Sequence, residues 1–200
     1  MIVKRFFDLF FSLAGTILLL PIFIVIAVWI KLDSKGPVFF CQERVGQFGN
    51  TFRIIKFRTM CLGAEADGRQ ITVGEDPRIT SSGKFLRQYK LDELPQLLNV
   101  ISGDMSLVGP RPEVPRYVAL YPSDVRELVL SVPPGITDYA SIEYKDENDI
   151  LGRATDPDKA YIDEIMPIKL AYYQRYVAER SLWVDLKLIL FTLSAIVGRR

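Results

Sequence analysis

The chain has 200 residues and a mass of 22.8 kDa, which suits one domain with a hydrophobic core. Apolar residues make up 49% of it and charged residues 24%, a composition that excludes intrinsic disorder. The net charge of +1 gives no sign of nucleic-acid binding, and the absence of histidine excludes Ser-His-Asp triads, Cys–His pairs and HExxH zinc sites within this chain. Cys41 and Cys61 form no CxxC motif, which points to a reducing compartment. The remaining candidates for chemistry are carboxylates, Lys, Arg, Tyr, Ser or a bound metal.

The N-terminal region contains 22 consecutive uncharged residues, from Leu9 to Ile30. As a helix this stretch would be about 33 Å long, close to the ~30 Å thickness of the bilayer hydrocarbon core. A cleaved signal peptide is disfavoured because no small-residue cleavage site precedes Lys31. Pro21 removes a backbone donor in the middle and predicts a kink. Basic residues flank both ends, so a kinked span and a helix that turns at Pro21 and returns to the same face both stay open.

Residues 36–60 read as a β-hairpin. Its predicted strands, Val38–Cys41 and Thr51–Ile55, are joined by a turn that contains Gly46 and Gly49-Asn50. A polar, glycine-rich loop is expected at 62–82.

Helices and one extended piece are predicted after this loop. The predictions are a helix at Lys84–Lys90, a helix from near Asp92 with Pro95 in its first turn and Gly103 after its end, an extended piece within 103–115, and a helix at Tyr117–Leu130. The resulting fold class is α+β and dominated by helices.

The C-terminal stretch Ser181–Gly198 is apolar but interrupted by Asp185 and Lys187. The eleven uncharged residues that follow Lys187 reach roughly 17 Å as a helix, which is too short to cross a bilayer. Trp183 at one end and Arg199-Arg200 at the other suit an amphipathic helix in the headgroup region. A buried core helix is the alternative. We therefore expect a membrane helix at 1–35, a catalytic core at 36–180 and an interfacial helix at 181–200.

Two constellations have the residue types needed for phosphate chemistry. Asp92 and Glu93 stand at a predicted helix start, where carboxylates are either ordinary caps or, beside a phosphate site, a nucleophile and a Mg²⁺ ligand. Pro110 and Pro112 restrict the backbone on both sides of Arg111, so its guanidinium is either preorganised for phosphate or part of a plain rigid turn. Further positive charge is available from Lys56, Arg58 and Arg87.

Taken together, these segments resemble the bacterial sugar transferases, the monotopic phosphoglycosyl transferases, and the chain length resembles the small type without appended domains. The matching blocks are GPVFFCQERVGQFGNTFRIIKFRTM (36–60), LDELPQLLNVISGDMSLVGPRP (91–112), PGIT (134–137) and the tail Tyr176-x4-Ser181-x3-Asp185-Leu186-Lys187.

The resemblance implies transfer of a phosphosugar from a UDP-sugar to undecaprenyl phosphate at the cytoplasmic face of a bacterial inner membrane. UMP and a lipid-linked diphosphate sugar would be the products, and the step would initiate assembly of an exopolysaccharide, O-antigen, capsule or glycoprotein glycan. The implied partners are the UDP-sugar, undecaprenyl phosphate, the bilayer and later glycosyltransferases. A homodimer is also compatible with the resemblance. The resemblance also favours the returning helix, broken at Pro21, although the serine that often precedes this proline is Leu20 here.

The resemblance also implies residue roles. Asp92 would attack the β-phosphorus and carry the phosphosugar covalently, and Glu93 would remove a proton from the incoming lipid phosphate or help to position it. Mg²⁺ would bridge this dyad and the diphosphate, while Arg111 would hold phosphate.

One block departs from the family pattern. After PGIT many members continue with Gly and a Gln-Val-x-Gly-Arg run, but here Asp138–Glu147 follows, so the identity of the sugar stays open. Two other functions remain to be weighed. One is a membrane adaptor that binds nucleotide sugar without catalysis, and the other is a transferase that moves a bare sugar and releases UDP.

Overall fold

The computed structural model describes residues 2–64, 76–144 and 147–197. Within these ranges the chain has the helix-dominated α+β architecture predicted from its sequence. The helices are α1 (Ile2–Asp33), α2 (Ser81–Gln88), α3 (Gln96–Ser102), α4 (Pro115–Val118), α5 (Ser123–Val129), α6 (Tyr139–Glu143), α7 (Glu147–Arg153), α8 (Pro157–Ala160), α9 (Met166–Glu179) and α10 (Leu182–Val197). The strands are β1 (Phe39–Val45), β2 (Thr51–Phe57), β3 (Ser106–Val108) and β4 (Gly135–Thr137). Short 3₁₀ turns lie at Gln47–Gly49 and Leu91–Glu93, and a π-helical turn lies at Tyr161–Ile165.

The predicted hairpin is confirmed. β1 and β2 pair antiparallel, with Phe39 opposite Phe57 and Val45 opposite Thr51. Both strands extend past their predicted C-terminal ends, to Val45 and Phe57, and β1 begins one residue later than predicted, at Phe39. The pairing with β2 includes the polar residues 42–44 of β1, whose own β propensity is low. The turn contains the expected glycines, and Phe48 in its centre has a positive φ of 58°.

The dyad segment differs from its prediction. A regular helix does not begin near Asp92; residues Leu91–Glu93 form a 3₁₀ turn, and α3 begins at Gln96, directly after Pro95. The physical reason is that proline lacks an amide hydrogen and is accommodated where a helix starts. Gly103 ends α3 as predicted, with a φ of 102°.

Two other helices also have different bounds. The helix predicted at Lys84–Lys90 begins earlier, at Ser81, because the Thr80 side chain accepts a hydrogen bond from the Gly83 amide and caps it. The single helix predicted over Tyr117–Leu130 is wrong, because α4 and α5 are separate helices. Pro122 cannot donate to the preceding turn and disfavours helical geometry in the residue before it.

The predicted extended piece is confirmed as β3, and its parallel partner β4 was not foreseen. Ser106 lies opposite Gly135, and Val108 lies opposite Thr137. The two backbones approach so closely at the end of the pair that a Cβ on Gly135 would lie 2.0 Å from the Gly109 nitrogen. Glycine is therefore required there, and the ladder sets the start of the Pro-Arg-Pro turn.

Helix α1 is buried on one side in two stretches, one towards each of its ends. Its buried residues are Asp8, Ser12, Phe23, Ile26 and Ile30, and only 17% of its most apolar 18-residue window is buried. The helix continues through Pro21, and by length and composition it could cross a membrane. The side that faces away from the core exposes large apolar side chains, among them Ile2, Phe6, Phe10, Leu13, Ile17, Leu20, Ile24, Val28 and Leu32.

The main hydrophobic core lies between α4, α5, α9 and the π-helical turn. Its buried members include Val114, Tyr117, Val118, Val129, Tyr161, Ile165, Leu170 and Tyr173. Helix α10 packs on β3 through Leu188, while Trp183 is 73% exposed. Most of the predicted loop at 62–82, together with Arg199 and Arg200, lies outside the described residues. The predicted boundaries at residues 35 and 180 stay predictions.

Candidate active site

The segment that carries the two adjacent carboxylates is fixed from behind by α1. Leu91 and Leu94, on either side of the dyad, pack against the cluster of Phe23, Ile26, Ile30, Phe57 and Leu86. Lys90, directly before the segment, has a left-handed φ of 53°, which is uncommon for a residue with a side chain. The backbone therefore turns sharply at Lys90, and the leucines and carboxylates lie on different sides of the 3₁₀ turn.

Glu93 is held by two cations from separate elements. Its Oε1 accepts a hydrogen bond from Lys56 Nζ of β2 at 2.9 Å. The Arg111 guanidinium binds both carboxylate oxygens, and the bond from Nη1 to Oε2 measures 3.2 Å. Burial alone would raise the pKa of Glu93, but Arg111 and Lys56 hold it well below its ordinary value. Glu93 is thus an ionised carboxylate with both oxygens engaged.

Asp92 has the opposite environment. It is 9% exposed, and no hydrogen bond to its carboxylate is formed within the described residues. Burial and then the negative charge of Glu93 raise its pKa to about 6, against the lowering effect of Lys56, Arg87 and Arg111. Two adjacent carboxylates whose environments push their pKa values apart are typical of catalytic pairs. Asp92 is the carboxylate left available for a ligand or a reacting atom.

The Pro-Arg-Pro turn is held on both of its sides. The Pro110 carbonyl accepts a hydrogen bond from the Gly135 amide at 2.9 Å, and the Pro112 carbonyl accepts one from Arg44 Nη1 at 3.2 Å. The charge of Glu93 raises the pKa of Arg111 above its ordinary value, so the guanidinium stays charged. The predicted Arg111 is therefore part of the cluster with the dyad.

A buried ionic group supports the residue after this turn. Glu113 Oε1 accepts a hydrogen bond from Tyr161 Oη at 2.5 Å and lies 3.5 Å from Lys169 Nζ, and Glu113 Oε2 lies 3.6 Å from Arg44 Nη1. Burial would raise the pKa of Glu113, but Lys169 and Arg44 lower it. This group joins β1, the π-helical turn and α9 underneath the Pro-Arg-Pro turn.

The two other predicted cations occupy different places. Arg87 lies at the end of α2, where its Nε donates to Thr59 Oγ1 at 2.9 Å and its charge acts on Asp92. Arg58 does not join the cluster. Its Nη2 donates to the Ser34 carbonyl at 2.8 Å and to Ser34 Oγ at 3.0 Å, and its Nη1 donates to the Lys35 carbonyl at 2.5 Å. Arg58 thus satisfies backbone carbonyls at the end of α1, and nothing in its contacts supports the predicted phosphate role.

Sequence reasoning missed three polar residues that place the cluster. Asn99 is buried, and its side chain accepts from the Ile55 amide and donates to the Arg53 carbonyl, which fixes α3 against β2. Glu113 and Asp138 support the Pro-Arg-Pro turn. No local pattern marks them: Asn99 falls outside the helically spaced apolar positions Leu94, Leu97, Leu98 and Ile101, and the partners of the other two lie far away in sequence.

A sequence model described as "Bacterial sugar transferase" matches residues 1–199. The chain belongs to the bacterial sugar transferase family. Among its relatives, the chain is 37% identical over 197 residues to a UDP-N-acetylgalactosamine-undecaprenyl-phosphate N-acetylgalactosaminephosphotransferase of Aeromonas hydrophila, covering 98% of this chain and 44% of the relative. It is 39% identical over 195 residues to a UDP-glucose:undecaprenyl-phosphate glucose-1-phosphate transferase of Klebsiella pneumoniae, covering 96% and 39%.

A third relative matches more of its own length. The chain is 37% identical over 197 residues to a UDP-glucose:undecaprenyl-phosphate glucose-1-phosphate transferase of Caulobacter vibrioides, covering 97% of this chain and 69% of the relative. The chain spans less than half the length of the Aeromonas and Klebsiella relatives. These relatives differ in the sugar that their names specify, so the comparison leaves the sugar transferred by this chain undetermined.

Proposed function

We propose that this sugar transferase moves a phosphosugar from a UDP-sugar to undecaprenyl phosphate and releases UMP. The observation that carries the proposal is the division of the dyad. Lys56 and Arg111 occupy both oxygens of Glu93, while Asp92 beside them is buried and unbonded within the described residues. An available carboxylate next to several cations suits attack on a phosphorus atom whose surrounding oxygens need neutralisation.

In the first half-reaction, an Asp92 oxygen attacks the β-phosphorus of the UDP-sugar. A carboxylate–phosphorus bond forms, and the bond from that phosphorus to the oxygen shared with the α-phosphate breaks, so UMP leaves with the electron pair. In the second half-reaction, a phosphate oxygen of undecaprenyl phosphate attacks the same phosphorus. The bond to Asp92 breaks, the carboxylate is restored, and undecaprenyl diphosphate sugar leaves.

The surrounding side chains have positioning and charge roles in this proposal. Arg111 and Lys56 orient Glu93 and present positive charge towards the phosphates, and Arg87 adds a third charge near Asp92. Of the two roles expected for Glu93, we propose positioning, because a carboxylate with a strongly lowered pKa is a weak base.

A magnesium ion is a further part of the proposal. Mg²⁺ is commonly held by one or two carboxylates together with substrate phosphates, and no group of three or more ligating side chains occurs among the described residues. Asp92 fits this shared arrangement because its carboxylate accepts no hydrogen bond there, whereas Glu93, the other expected ligand, already binds Lys56 and Arg111. When bound, the ion would neutralise charge on the diphosphate.

We also propose that both ends of α1 face the same side of the membrane. Near its first turn, Lys4 Nζ donates to Asp185 Oδ2 at 2.6 Å, and Arg5 donates to the Val100 carbonyl at 2.6 Å. At its other end, Asp33 accepts hydrogen bonds from Ser82. A helix that crosses the bilayer would place these two sets of polar contacts on opposite sides of the membrane. That placement conflicts with the packing of both sets against the same folded core. This arrangement supports a shallow insertion in which α1, although it remains helical through Pro21, bends there and returns to the same side.

Helix α10 completes the proposed membrane surface. Asp185 pins its first turn to α1 and to Tyr176, while the outward side exposes Trp183, Leu190, Phe191 and Leu193. An apolar face with an aromatic residue at one end suits the headgroup region. We place this surface at the cytoplasmic face of the inner membrane, because UDP-sugars are cytosolic substrates.

The proposal is tested with the purified protein in vesicles that contain undecaprenyl phosphate. A panel of UDP-sugars is supplied with Mg²⁺, and the released nucleotide is identified. We expect UMP from at least one sugar and its loss in Asp92→Asn. Release of UDP would instead indicate transfer of a bare sugar. Nucleotide-sugar binding without release, unchanged by Asp92→Asn, would indicate the adaptor.

A further inference from the structure

Asp138 connects the segment after β4 to the Pro-Arg-Pro turn. It is 1% exposed, and each of its carboxylate oxygens accepts one backbone hydrogen bond. Oδ1 accepts from the Ser141 amide at 2.6 Å and caps the start of α6. Oδ2 accepts from the Arg111 amide at 3.3 Å. One buried carboxylate therefore serves a local helix and a distant turn.

The contact with Arg111 continues the β3–β4 ladder through a side chain. The last backbone bond of the ladder on this side runs from the Gly109 amide to the Thr137 carbonyl at 3.1 Å. Pro110 and Pro112 have no amide hydrogen, so Arg111 supplies the one backbone donor of the three-residue turn. Asp138 accepts that donor. The backbone of Arg111 is thus held directly where its side chain departs towards Glu93.

The same carboxylate acts on the guanidinium through its charge. After the larger effect of Glu93, Asp138 also contributes to the raised pKa of Arg111. The other hydrogen bond of the Asp138 carboxylate is local, because Oδ1 accepts from the Ser141 amide three residues further along the chain. The contact with Arg111 is therefore the route by which Asp138 reaches the site.

We infer that Asp138 is a positioning residue for the sugar-phosphate transfer, which holds the Arg111 backbone so that the guanidinium meets Glu93 and the substrate phosphate. The inference rests on the proposed function, in which Arg111 binds that phosphate. Asp138 itself touches no reacting atom, so its effect must pass through Arg111. Because the effect of Asp138 depends on Arg111, its positioning role can be distinguished experimentally from its role as a helix cap.

The Asp138→Asn variant separates the two hydrogen bonds. An Asn side chain has one acceptor oxygen, whereas Asp138 uses two. Asn caps helices about as well as Asp, so we expect its oxygen to stay on the closer Ser141 amide and its NH₂ group to face the Arg111 amide. Asp138→Ala removes both hydrogen bonds, and it therefore shows the effect of losing the helix cap together with the Arg111 contact.

Asp156 provides a matched control. It caps α8 by accepting a hydrogen bond from the Lys159 amide at 3.1 Å, it is exposed, and its carboxylate makes no contact with Arg111. Asp156→Asn therefore makes the same chemical change at a helix cap outside the site. We expect it to leave kcat and KM for the UDP-sugar within about twofold of the wild type.

The decisive experiment is a double-mutant cycle on UMP release, with Asp138→Asn and Arg111→Lys alone and combined. We expect Asp138→Asn to lower kcat/KM by about tenfold in the wild-type background, mainly through kcat, and by less than twofold when Lys occupies position 111. An equal factor in both backgrounds would show that Asp138 does not act through Arg111 and would overturn the inference.

Amide hydrogen exchange tests the contact without relying on activity. In Asp138→Asn we expect faster exchange at the Arg111 amide and unchanged protection at the Ser141 amide. Unchanged exchange at Arg111 would overturn the inference even if UMP is released. If the wild type releases no UMP from any UDP-sugar while Arg111 exchange responds as expected, the positioning contact stands and the proposed function fails.

Discussion

Asp92 and Glu93 are adjacent in sequence but differ in the charges around them. Lys56 and Arg111 neutralise Glu93 directly, so the cost of its burial is offset. Asp92 lacks such a partner within the described residues and has a pKa raised to about 6. The folded protein therefore stabilises the ionised form of Glu93 and destabilises the ionised form of Asp92. That asymmetry makes a stability measurement informative about the site.

Replacement of Asp92 by Asn is expected to stabilise the metal-free protein while it abolishes UMP release. Because folding raises the pKa of Asp92 from 3.8 to about 6, stability falls as pH rises through that interval. The penalty is absent below about pH 4 and complete well above pH 6. We expect a gain on the order of 2–3 kcal/mol at pH 8, measured by thermal unfolding in chelator, and almost none at pH 4.

Glu93→Gln is the matched control at the neighbouring position. It should lower the stability at pH 8, because the lowered pKa of Glu93 reflects stabilising contacts with Arg111 and Lys56. An Asp92→Asn protein that is no more stable than the wild type at pH 8 would contradict the assigned environment of Asp92.

Arg58 binds backbone carbonyls, so we propose a structural role for it in place of the predicted phosphate contact. Its guanidinium donates to backbone carbonyls of Ser34 and Lys35, and a Cβ on Gly36 would lie 1.8 Å from its Nη1. We expect Arg58→Ala to destabilise the fold by about 2–4 kcal/mol, through several lost hydrogen bonds of a charged donor. The KM for the UDP-sugar should remain within about twofold, as measured on the folded fraction. A tenfold rise in KM would restore the phosphate role.

At the scale of elements, the buried ionic group under the Pro-Arg-Pro turn joins three parts of the chain. Glu113 leads directly out of the turn, and its partners Arg44, Tyr161 and Lys169 belong to β1, the π-helical turn and α9. Its backbone carbonyl also accepts a hydrogen bond from the Val45 amide. Removing this carboxylate would leave Arg44 without the ion-pair partner it has among the described residues and would leave Lys169 with Glu147 alone.

Glu113→Gln is expected to destabilise the protein by about 3–5 kcal/mol at pH 7. Folding lowers the pKa of Glu113, so its contribution is present above the unfolded value of 4.5 and is lost as pH falls through the folded value. The wild type and the variant should therefore converge in strong acid. Denaturant unfolding at a series of pH values measures this.

The exposed pair of Arg175 and Glu143 serves as the comparison for that experiment. Both side chains are more than 40% exposed, and Glu143→Gln should cost less than about 1 kcal/mol. Equal losses in the two variants would show that the Glu113 group does not support the turn.

Local signals were enough to predict some elements and not others. The hairpin follows from β-rich strands around Gly46 and Gly49, and the end of α3 follows from Gly103. The helix predicted over 117–130 is interrupted at Pro122, where the proline itself disfavours a continuous helix. The parallel pairing of β3 with β4 depends on residues nearly thirty positions apart, which no local pattern specifies.

The site was predictable in its residue types but not in its pairings. Asp92, Glu93, Arg111 and Lys56 lie together as the sequence suggested. Which of the two carboxylates is neutralised depends on the distance from each to β2 and to the Pro-Arg-Pro turn, and thus on tertiary packing.

For the whole molecule, the one-sided burial of α1 leads to a topology prediction. Cysteines are introduced at Val3 and Lys35, both exposed, in a protein whose exposed Cys41 and Cys61 are replaced by Ser. A membrane-impermeant thiol reagent added from the cytoplasmic side should label both introduced cysteines equally. Labelling of one alone would mean that α1 spans the bilayer. Leu62, which is exposed and lies outside α1, provides a position for a labelling control.

The contact of Leu91 and Leu94 with the α1 cluster also affects how the two substrates are found. Since the proposed nucleophile is fixed beside the helix that we propose to lie in the membrane, the lipid acceptor would reach it by lateral diffusion, whereas the UDP-sugar would arrive from solution. The second half-reaction should therefore respond to the mole fraction of undecaprenyl phosphate in the bilayer and not to its bulk molarity. Adding inert lipid to the same vesicles should slow turnover, while diluting the vesicles at saturating UDP-sugar should leave the turnover per enzyme unchanged.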